Sequence, residues 1–250
     1  MPWGAIPLVV VLGACSGPPL APAAAPPSTV PTTAPVTSTR AAPVTPTAPV
    51  STTTVTAVPS TVPAFTGSAL RVTAADLPSS WRTGCPVAPA DLRKLELTYW
   101  GFDDRPHAGT LVVHADQADA VIGVFRRLYD RRFPIRRMEP IDVFGGSDDA
   151  SIAADNTSGF NCRTAVASGP PQWSAHAFGR AIDVNPVENP YILEGTVLPP
   201  AGAPYQDRSN VRPGMAVRGG ELVAAFAAAG WSWGGGWVNP DYQHFSSSGN

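Results

Sequence analysis

The composition of residues 16–68 limits what this chain can fold into. The segment consists mainly of Pro, Thr, Ala, Val and Ser, has few aromatic or large aliphatic residues, and carries Arg40 as its only charge. Such a segment cannot offset its ordering entropy by burying apolar surface, so it predicts a disordered, proline-extended linker. The alternative is that this segment is a remnant of secretion and does not act as a spacer. The folded domain is therefore expected within residues 69–250.

Residues 1–15 predict an export signal and not a membrane span. The apolar run over residues 6–12 is too short to cross a bilayer. It ends in Leu-Gly-Ala-Cys15, which resembles a bacterial lipobox and implies a lipid on the Cys15 sulfur. An export signal normally has a Lys or Arg before its apolar run, and this run has none. Either translation starts upstream, or Cys15 only ends an unusual signal. We expect an exported, membrane-anchored lipoprotein that faces the cell wall.

Length, charge and cysteine content bound the class of the remaining chain. Residues 69–250 suit one domain, long enough to bury roughly 70% of its unfolded surface. The formal net charge of -2 argues against a nucleic-acid partner. Cys85 and Cys162 remain as an even pair in an oxidising compartment, which predicts a disulfide, with two buried free thiols as the alternative.

Apolar periodicity predicts helices and short strands in mixed order. Residues 116–130 place apolar side chains on one helical stripe, with Asp116 as the N-cap, and residues 221–229 predict a second helix that ends before Gly230. Strands are predicted at residues 110–114, 133–138, 180–184 and 242–245, the second at a sheet edge because of Pro134. Residues 191–218 predict a long loop near the cleft. The order favours an α+β fold with a small mixed or antiparallel sheet and flanking helices.

Two short segments carry the residues of a possible metal site. Residues 174–183 read SAHAFGRAID and residues 241–244 read DYQH, so together they offer His176, Asp183 and His244 to one ion. Three protein ligands leave a tetrahedral ion one open position, where a bound water is acidified, which is typical of a metallohydrolase. A turn around Gly179 must bring His176 and Asp183 together. Taken singly, these residues could instead be turn formers in a glycine-rich loop.

Asp241 is the candidate general base. Asp241 lies three residues before His244, so on a regular strand the two side chains would point to opposite faces. The preceding Asn239-Pro240 turn can instead leave Asp241 at the edge of the loop, beside a metal-bound water. The alternative is a turn former after proline. The remaining histidines, His107 and His114, are interpreted as structural or surface residues.

The run S-x-H-x-x-G-x-A-x-D followed by D-x-x-H-F resembles the zinc D-alanyl-D-alanine carboxypeptidase family, the VanY-like murein peptidases, which share a fold with the hedgehog signalling domain. The similarity extends to residues 160–163 and 185–191. It implies that zinc binds to His176, Asp183 and His244, and that Asp241 is the catalytic carboxylate. A family arginine that binds the substrate's carbonyl or carboxylate is Arg163 by position, with Arg137 as the alternative.

Departures from the family pattern leave the cleaved bond open. Members that remove a terminal D-Ala often have Glu as the base and a second His two residues after the ligand, where this chain has Asp241 and Ser246. An aspartate base is closer to members that cut between L-Ala and D-Glu of the stem peptide. Gly236 stands where a further acidic residue often follows the tryptophan-glycine-glycine turn. Expected substrate-binding residues are Arg137, Ser174, Tyr191 and Trp237. Trp231 and Trp233 could also line the floor of the cleft beside Trp237, although core packing is the expected role for at least two of the three tryptophans.

Two other functional classes also fit the sequence. Two histidines and one carboxylate also suit non-haem iron oxygenases, although these commonly place the carboxylate two residues after the first His. The second is a catalytically silent wall-binding module on the same fold. The expected partners are a peptidoglycan stem peptide and, through a lipid on Cys15, the membrane, with no nucleic acid. We expect a monomer.

Overall fold

A computed structural model describes residues 63–166 and 170–249. It has an α+β architecture, with three helices and small, mostly antiparallel sheets in this part of the chain, which confirms the predicted fold class. The predicted signal, the Cys15 lipobox and most of the predicted linker lie outside the described residues. No helix in the described ranges is long and apolar enough to cross a bilayer.

The largest sheet is built from strands in chain order. Strands β1 (Gly67–Arg71), β2 (Leu92–Gly101) and β3 (Pro106–His114) are antiparallel neighbours, and β4 (Pro134–Ile135) pairs in parallel with the end of β2. Alternate residues of β2 are buried because successive side chains point to opposite faces. The predicted strand at 110–114 is the second half of β3, and the one at 133–138 shortens to β4. β1 includes Gly67 and Ser68, which composition assigned to the linker.

Helix α1 (Ala118–Asp130) covers this sheet with its buried residues Val121, Phe125 and Leu128. The helix is confirmed, but Asp116 as its N-cap is wrong. Residues Ala115–Gln117 form a 3-10 turn first, and the Asp116 carboxylate instead pairs with Arg180 at 2.5 Å and His114 at 2.8 Å. These partners satisfy Asp116 outside the helix.

Asp183 and His244 lie in a second sheet. Helix α2 (Asp148–Ala153) comes first, and β5 (Ala181–Asp183), β9 (His244–Ser246) and β8 (Ser232–Trp233) follow as an antiparallel sheet in that spatial order. Helix α3 (Glu221–Ala228) confirms the second predicted helix within one residue. Its Phe226 stacks on Phe245 of β9 with ring centroids 4.2 Å apart, and contacts Phe125 of α1 at 6.3 Å. The two sheets therefore share one core.

Residues 191–218 contain regular structure that the loop prediction missed. Strands β6 (Tyr191–Leu193) and β7 (Thr196–Leu198) form a hairpin, and Pro200–Tyr205 form a 3-10 helix. The last strand begins at His244 and not at Tyr242, because residues 241–243 are held in a turn before it.

The predicted disulfide between Cys85 and Cys162 is confirmed. Both cysteines lie at a smaller apolar cluster, which includes Leu92 of β2 and Phe160. The disulfide therefore ties the segment before β2 to the chain just before Arg163.

Candidate metal centre

Strand pairing and one turn bring His176, Asp183 and His244 together. Asp183 is the last residue of β5 and pairs directly with His244, the first residue of β9. His176 lies in the 3-10 turn Ala175–Phe178, seven positions before Asp183. The three side chains come from two distant segments, as the sequence pattern requires.

The turn that carries His176 depends on Ser174 and Gly179. The Ser174 hydroxyl accepts a hydrogen bond from the His176 backbone N–H at 3.3 Å. Gly179 ends the turn with a left-handed φ of 65°, and a Cβ added there would lie 2.5 Å from the His114 backbone nitrogen. Only glycine fits this position without displacing β3. Ser174, an expected substrate-binding residue, is buried and serves here as the cap of the turn.

The three ligand candidates form a small triangle of side chains, in which each oxygen of Asp183 faces a different imidazole. His176 Nε2 lies 3.1 Å from Asp183 Oδ2, His244 Nδ1 lies 3.1 Å from Asp183 Oδ1, and the two nitrogens are 3.2 Å apart. Zinc–ligand distances of about 2.0–2.1 Å at tetrahedral angles separate neighbouring ligand atoms by about 3.3 Å. The residues are only 2%, 4% and 7% exposed in chain order. Each residue can offer one ligand atom within 4.8 Å of the other two, which suits one small divalent cation.

A backbone carbonyl decides which nitrogen of His176 faces the site. His176 Nδ1 lies 2.7 Å from the Gly159 carbonyl oxygen, which can only accept, so Nδ1 carries a proton and Nε2 is the nitrogen that faces Asp183. Burial lowers the pKa of His176, but the Asp183 charge outweighs it and leaves the pKa above its usual value. Nε2 can therefore present either a proton or a metal ion to Asp183.

Gly159 is a functional position that the sequence analysis missed. A Cβ there would meet the Val112 carbonyl oxygen at 2.4 Å, so a glycine lets the chain pass β3 closely and present its carbonyl to His176. The next segment stays beside the site, because Ser158 pairs with Asp183 and the Asn161 N–H donates to the His176 carbonyl at 3.1 Å. A backbone carbonyl that accepts a hydrogen bond from a ligand histidine has no side-chain signal in a sequence.

Asp241 lies in the turn just before β9, on the chain that delivers His244. Its Oδ1 atom is buried and has no hydrogen-bond partner among the described residues, although the residue as a whole is half-buried. Burial and then the negative charge of Asp183 raise the pKa of Asp241 to about 7. A carboxylate with a pKa near neutrality suits general base catalysis.

The β6–β7 hairpin holds the Asp241 turn in place. The Ile192 N–H donates to the Pro240 carbonyl at 2.8 Å, the Glu194 N–H donates to Asn239 Oδ1 at 3.2 Å, and Tyr191 forms a bridge with Asp241. This use of the hairpin was also missed. Its signal was available, because Glu194-Gly195 is a two-residue turn between apolar runs.

Arg163 and Trp237 lie beside the three ligand candidates. Arg163 forms an ion pair with Asp148, Nε to Oδ2 at 3.0 Å, and its charge acts on both His176 and Asp241. The Trp237 ring is 38% exposed and lies 5.3 Å from the His244 ring between centroids. These two side chains border the site and remain partly open to solvent.

The structure places the other expected residues elsewhere. Arg137 pairs with Glu139 at 3.4 Å and lies against Phe144, and it makes no ion pair with the ligand candidates in the described ranges. His107 pairs with Asp103 and His114 with Asp116, so both lie outside the group of possible metal ligands. Trp231 is buried in the core, and Trp233 packs beside it.

Comparison with known proteins supports a peptidase. Residues 168–247 match a family model described as D-alanyl-D-alanine carboxypeptidase. No curated protein and no solved structure matches the chain. The match confirms the resemblance over the segment that holds His176, Asp183, Asp241 and His244, while Arg163 lies outside it.

Proposed function

We propose that this chain is a zinc-dependent peptidase that hydrolyses peptidoglycan stem peptides on a hedgehog/DD-peptidase-like fold. The buried triangle of His176, Asp183 and His244 is the observation that carries this proposal. The family match over residues 168–247 supplies the peptidase class. Two nitrogens and one carboxylate are a donor set of catalytic zinc sites, which keep a further position open.

Zinc bound by these three residues would supply the Lewis acidity that peptide hydrolysis needs. Asp183 remains ionised, because His176 and His244 hold its pKa well below its usual range although burial alone would raise it. Its negative charge therefore balances part of the charge of the ion. The Gly159 carbonyl keeps a proton on His176 Nδ1, so Nε2 is the nitrogen that would bind the ion.

Asp241 and Arg163 handle the proton and the substrate. Asp241 takes a proton from the attacking water and returns it to the leaving amine, which its raised pKa allows at neutral pH. Arg163 presents a planar guanidinium that can grip a carboxylate or stabilise negative charge on the scissile carbonyl. Tyr191 and Trp237 contribute the side walls of the substrate site.

The cleaved bond is either the terminal D-Ala-D-Ala bond or the L-Ala-D-Glu bond. Digestion of purified muropeptides followed by mass spectrometry separates the two, because the first releases free alanine and the second splits the stem next to its first residue. We expect cleavage by the zinc-loaded wild type and none by His176→Ala. Intact muropeptides after digestion by fully loaded wild type would instead indicate the silent wall-binding module.

Metal analysis of protein purified without added metal tests the ion itself. We expect one zinc per chain in the wild type and loss of that zinc in Asp183→Ala. Iron at stoichiometric amounts, with no gain of peptidase activity on zinc addition, would instead favour a non-haem iron site.

The proposal places the chain outside the cytoplasm, as a lipoprotein anchored through Cys15 that acts as a monomer on the wall. The supporting observations are the Leu-Gly-Ala-Cys15 sequence and the long Pro/Thr/Ala-rich segment after it. Cys15→Ser should move the protein from the membrane fraction to the soluble exported fraction. An unchanged membrane fraction would contradict lipidation.

A further inference from the structure

The ion pair between Arg163 and Asp148 lies at the border of the metal centre. Arg163 Nε and Asp148 Oδ2 are 3.0 Å apart, and the two side chains are 23% and 22% exposed. Both charges act on His176, which shows how near the pair lies to the ligand candidates. The pair is therefore close to the proposed reaction site and still open to a substrate.

Asp148 is itself held in a fixed orientation. Its second oxygen, Oδ1, accepts a hydrogen bond from Asn161 Nδ2 at 3.3 Å. Asn161 is only 4% exposed, and its backbone N–H donates to the His176 carbonyl. Asp148 also begins helix α2, whose first turn is capped by the Ser147 hydroxyl. The carboxylate is thus anchored to the same backbone that carries a ligand candidate.

Arg163 has a rigid backbone but few contacts for its side chain. The disulfide fixes Cys162 before it, and the Ser174 N–H donates to the Arg163 carbonyl at 3.1 Å. Beyond the ion pair with Asp148, the guanidinium makes one hydrogen bond among the described residues, from Nη1 to the Thr164 carbonyl at 3.3 Å. The guanidinium is therefore directed by one hydrogen bond to the Thr164 carbonyl and by the charge of Asp148, which attracts Nε without a hydrogen bond of good geometry.

We propose that Asp148 is a positioning residue, which aims the Arg163 guanidinium at a carboxylate of the substrate. This inference rests on the proposed function. Asp148 does not touch the substrate, and its effect passes through Arg163. A planar guanidinium binds a carboxylate well only in a narrow range of orientations. Loss of the Asp148 charge therefore weakens substrate binding more than it slows the chemical step.

Asp148→Asn and Asp149→Asn form a matched pair of variants for the test. Asp149 is the next residue of the same helical turn, is exposed, and makes no ion pair with the residues that the structure describes. Kinetics on the muropeptide that the wild type cleaves should show KM raised by about tenfold or more in Asp148→Asn. The value of kcat and the zinc content should stay near wild type, and Asp149→Asn should match wild type throughout. Asp148→Glu should restore part of the affinity.

A double-mutant cycle shows whether Asp148 acts through Arg163. In an Arg163→Ala background, Asp148→Asn should raise KM no further, because the group it positions is gone. Equal and additive effects in both backgrounds would overturn the inference, as would zinc loss in Asp148→Asn or a KM equal to that of Asp149→Asn. A zinc-loaded wild type that cleaves no muropeptide would overturn the proposed function and this inference with it.

Discussion

At the scale of single residues, the site shifts the pKa values of two carboxyl groups in opposite directions. Burial alone would raise the pKa of both, but Asp183 lies between two imidazoles that hold its pKa well below the usual range. Asp241 has no such partner for its buried Oδ1, and the nearby charge of Asp183 helps raise its pKa to about 7. Two carboxylates pushed apart in this way suit separate roles, one as a permanent ligand and one as a proton carrier.

Asp241→Asn tests this division of roles. The amide has nearly the same shape but cannot accept the proton, so kcat should fall by about 10² to 10⁴. Zinc content should remain at the wild-type level, because Asp241 is outside the ligand triangle. Kinetics and metal analysis on the same preparation check both points. Full activity in this variant would refute the assignment of the base.

The sequence predicted the members of the site better than its geometry. His176, Asp183, Asp241 and His244 are marked by residue type and spacing, so a pattern of ten residues and another of four suffices to find them. The direct pairing of Asp183 with His244, 61 positions apart, depends on strand register, which local periodicity does not encode. Asp148 escaped notice because an acidic residue at the start of a helix is common.

At the scale of elements, the helices were predicted well and the strands less so. Helices α1 and α3 carry apolar residues at helical spacing, which is a strong local signal. Strand β2 was missed although Leu95, Leu97 and Tyr99 alternate with polar residues and were available as a signal. Strand β1 has no apolar alternation, and all five of its residues are exposed, so only its pairing with β2 defines it.

Glu194→Asn should stabilise the hairpin that supports Asp241. Glu194 and Gly195 have left-handed φ values of 49° and 83°, and two-residue hairpin turns of this kind favour Asn-Gly. The Glu194 side chain is exposed, and its backbone bond to Asn239 does not depend on residue type. We expect a gain of about 0.5–1 kcal/mol and a rise of about 2–4 °C in Tm.

Thermal unfolding measures the Tm of Glu194→Asn, with Gly195→Ala and the wild type as comparisons. Gly195 has open space around it, so an alanine there tests backbone strain without a steric clash. That variant should lower the Tm. A lower Tm for Glu194→Asn would show that the turn geometry described for β6–β7 is wrong.

At the scale of the whole molecule, the disulfide connects a small apolar cluster to the site. It joins residues 77 positions apart, so it removes considerable freedom from the unfolded chain. The double variant Cys85→Ala with Cys162→Ala should lose about 2–5 kcal/mol of unfolding free energy. Urea denaturation measures the loss, and reduced wild type should give the same midpoint. Unchanged stability in both samples would contradict a structural role for the bond.

A second property of the whole molecule is the pH dependence of its stability, which the buried pair of Asp155 and Glu188 should influence. Arg136 is 3.4 Å from Asp155 Oδ2 and 3.1 Å from Glu188 Oε1, so one cation serves two carboxyl groups. Burial, followed by the hydrogen bond and charge of Glu188, raises the pKa of Asp155 to about 7. The unfolded chain loses this proton near its ordinary pKa of about 4.

Folded Asp155 therefore holds a proton between about pH 4 and pH 7 that the unfolded chain has released, and its contribution to stability falls as the pH rises through that window. Asp155→Asn mimics the protonated group and removes this dependence. Urea denaturation at several pH values should show that the free energy of unfolding of Asp155→Asn rises relative to that of the wild type as the pH rises. The rise should be at most about 1.4 kcal/mol per pH unit. Asp149→Asn, on the exposed face of α2, should run parallel to the wild type. A constant difference between wild type and Asp155→Asn across the window would mean that Asp155 is ionised in the folded protein, with Arg136 sufficient for both carboxylates.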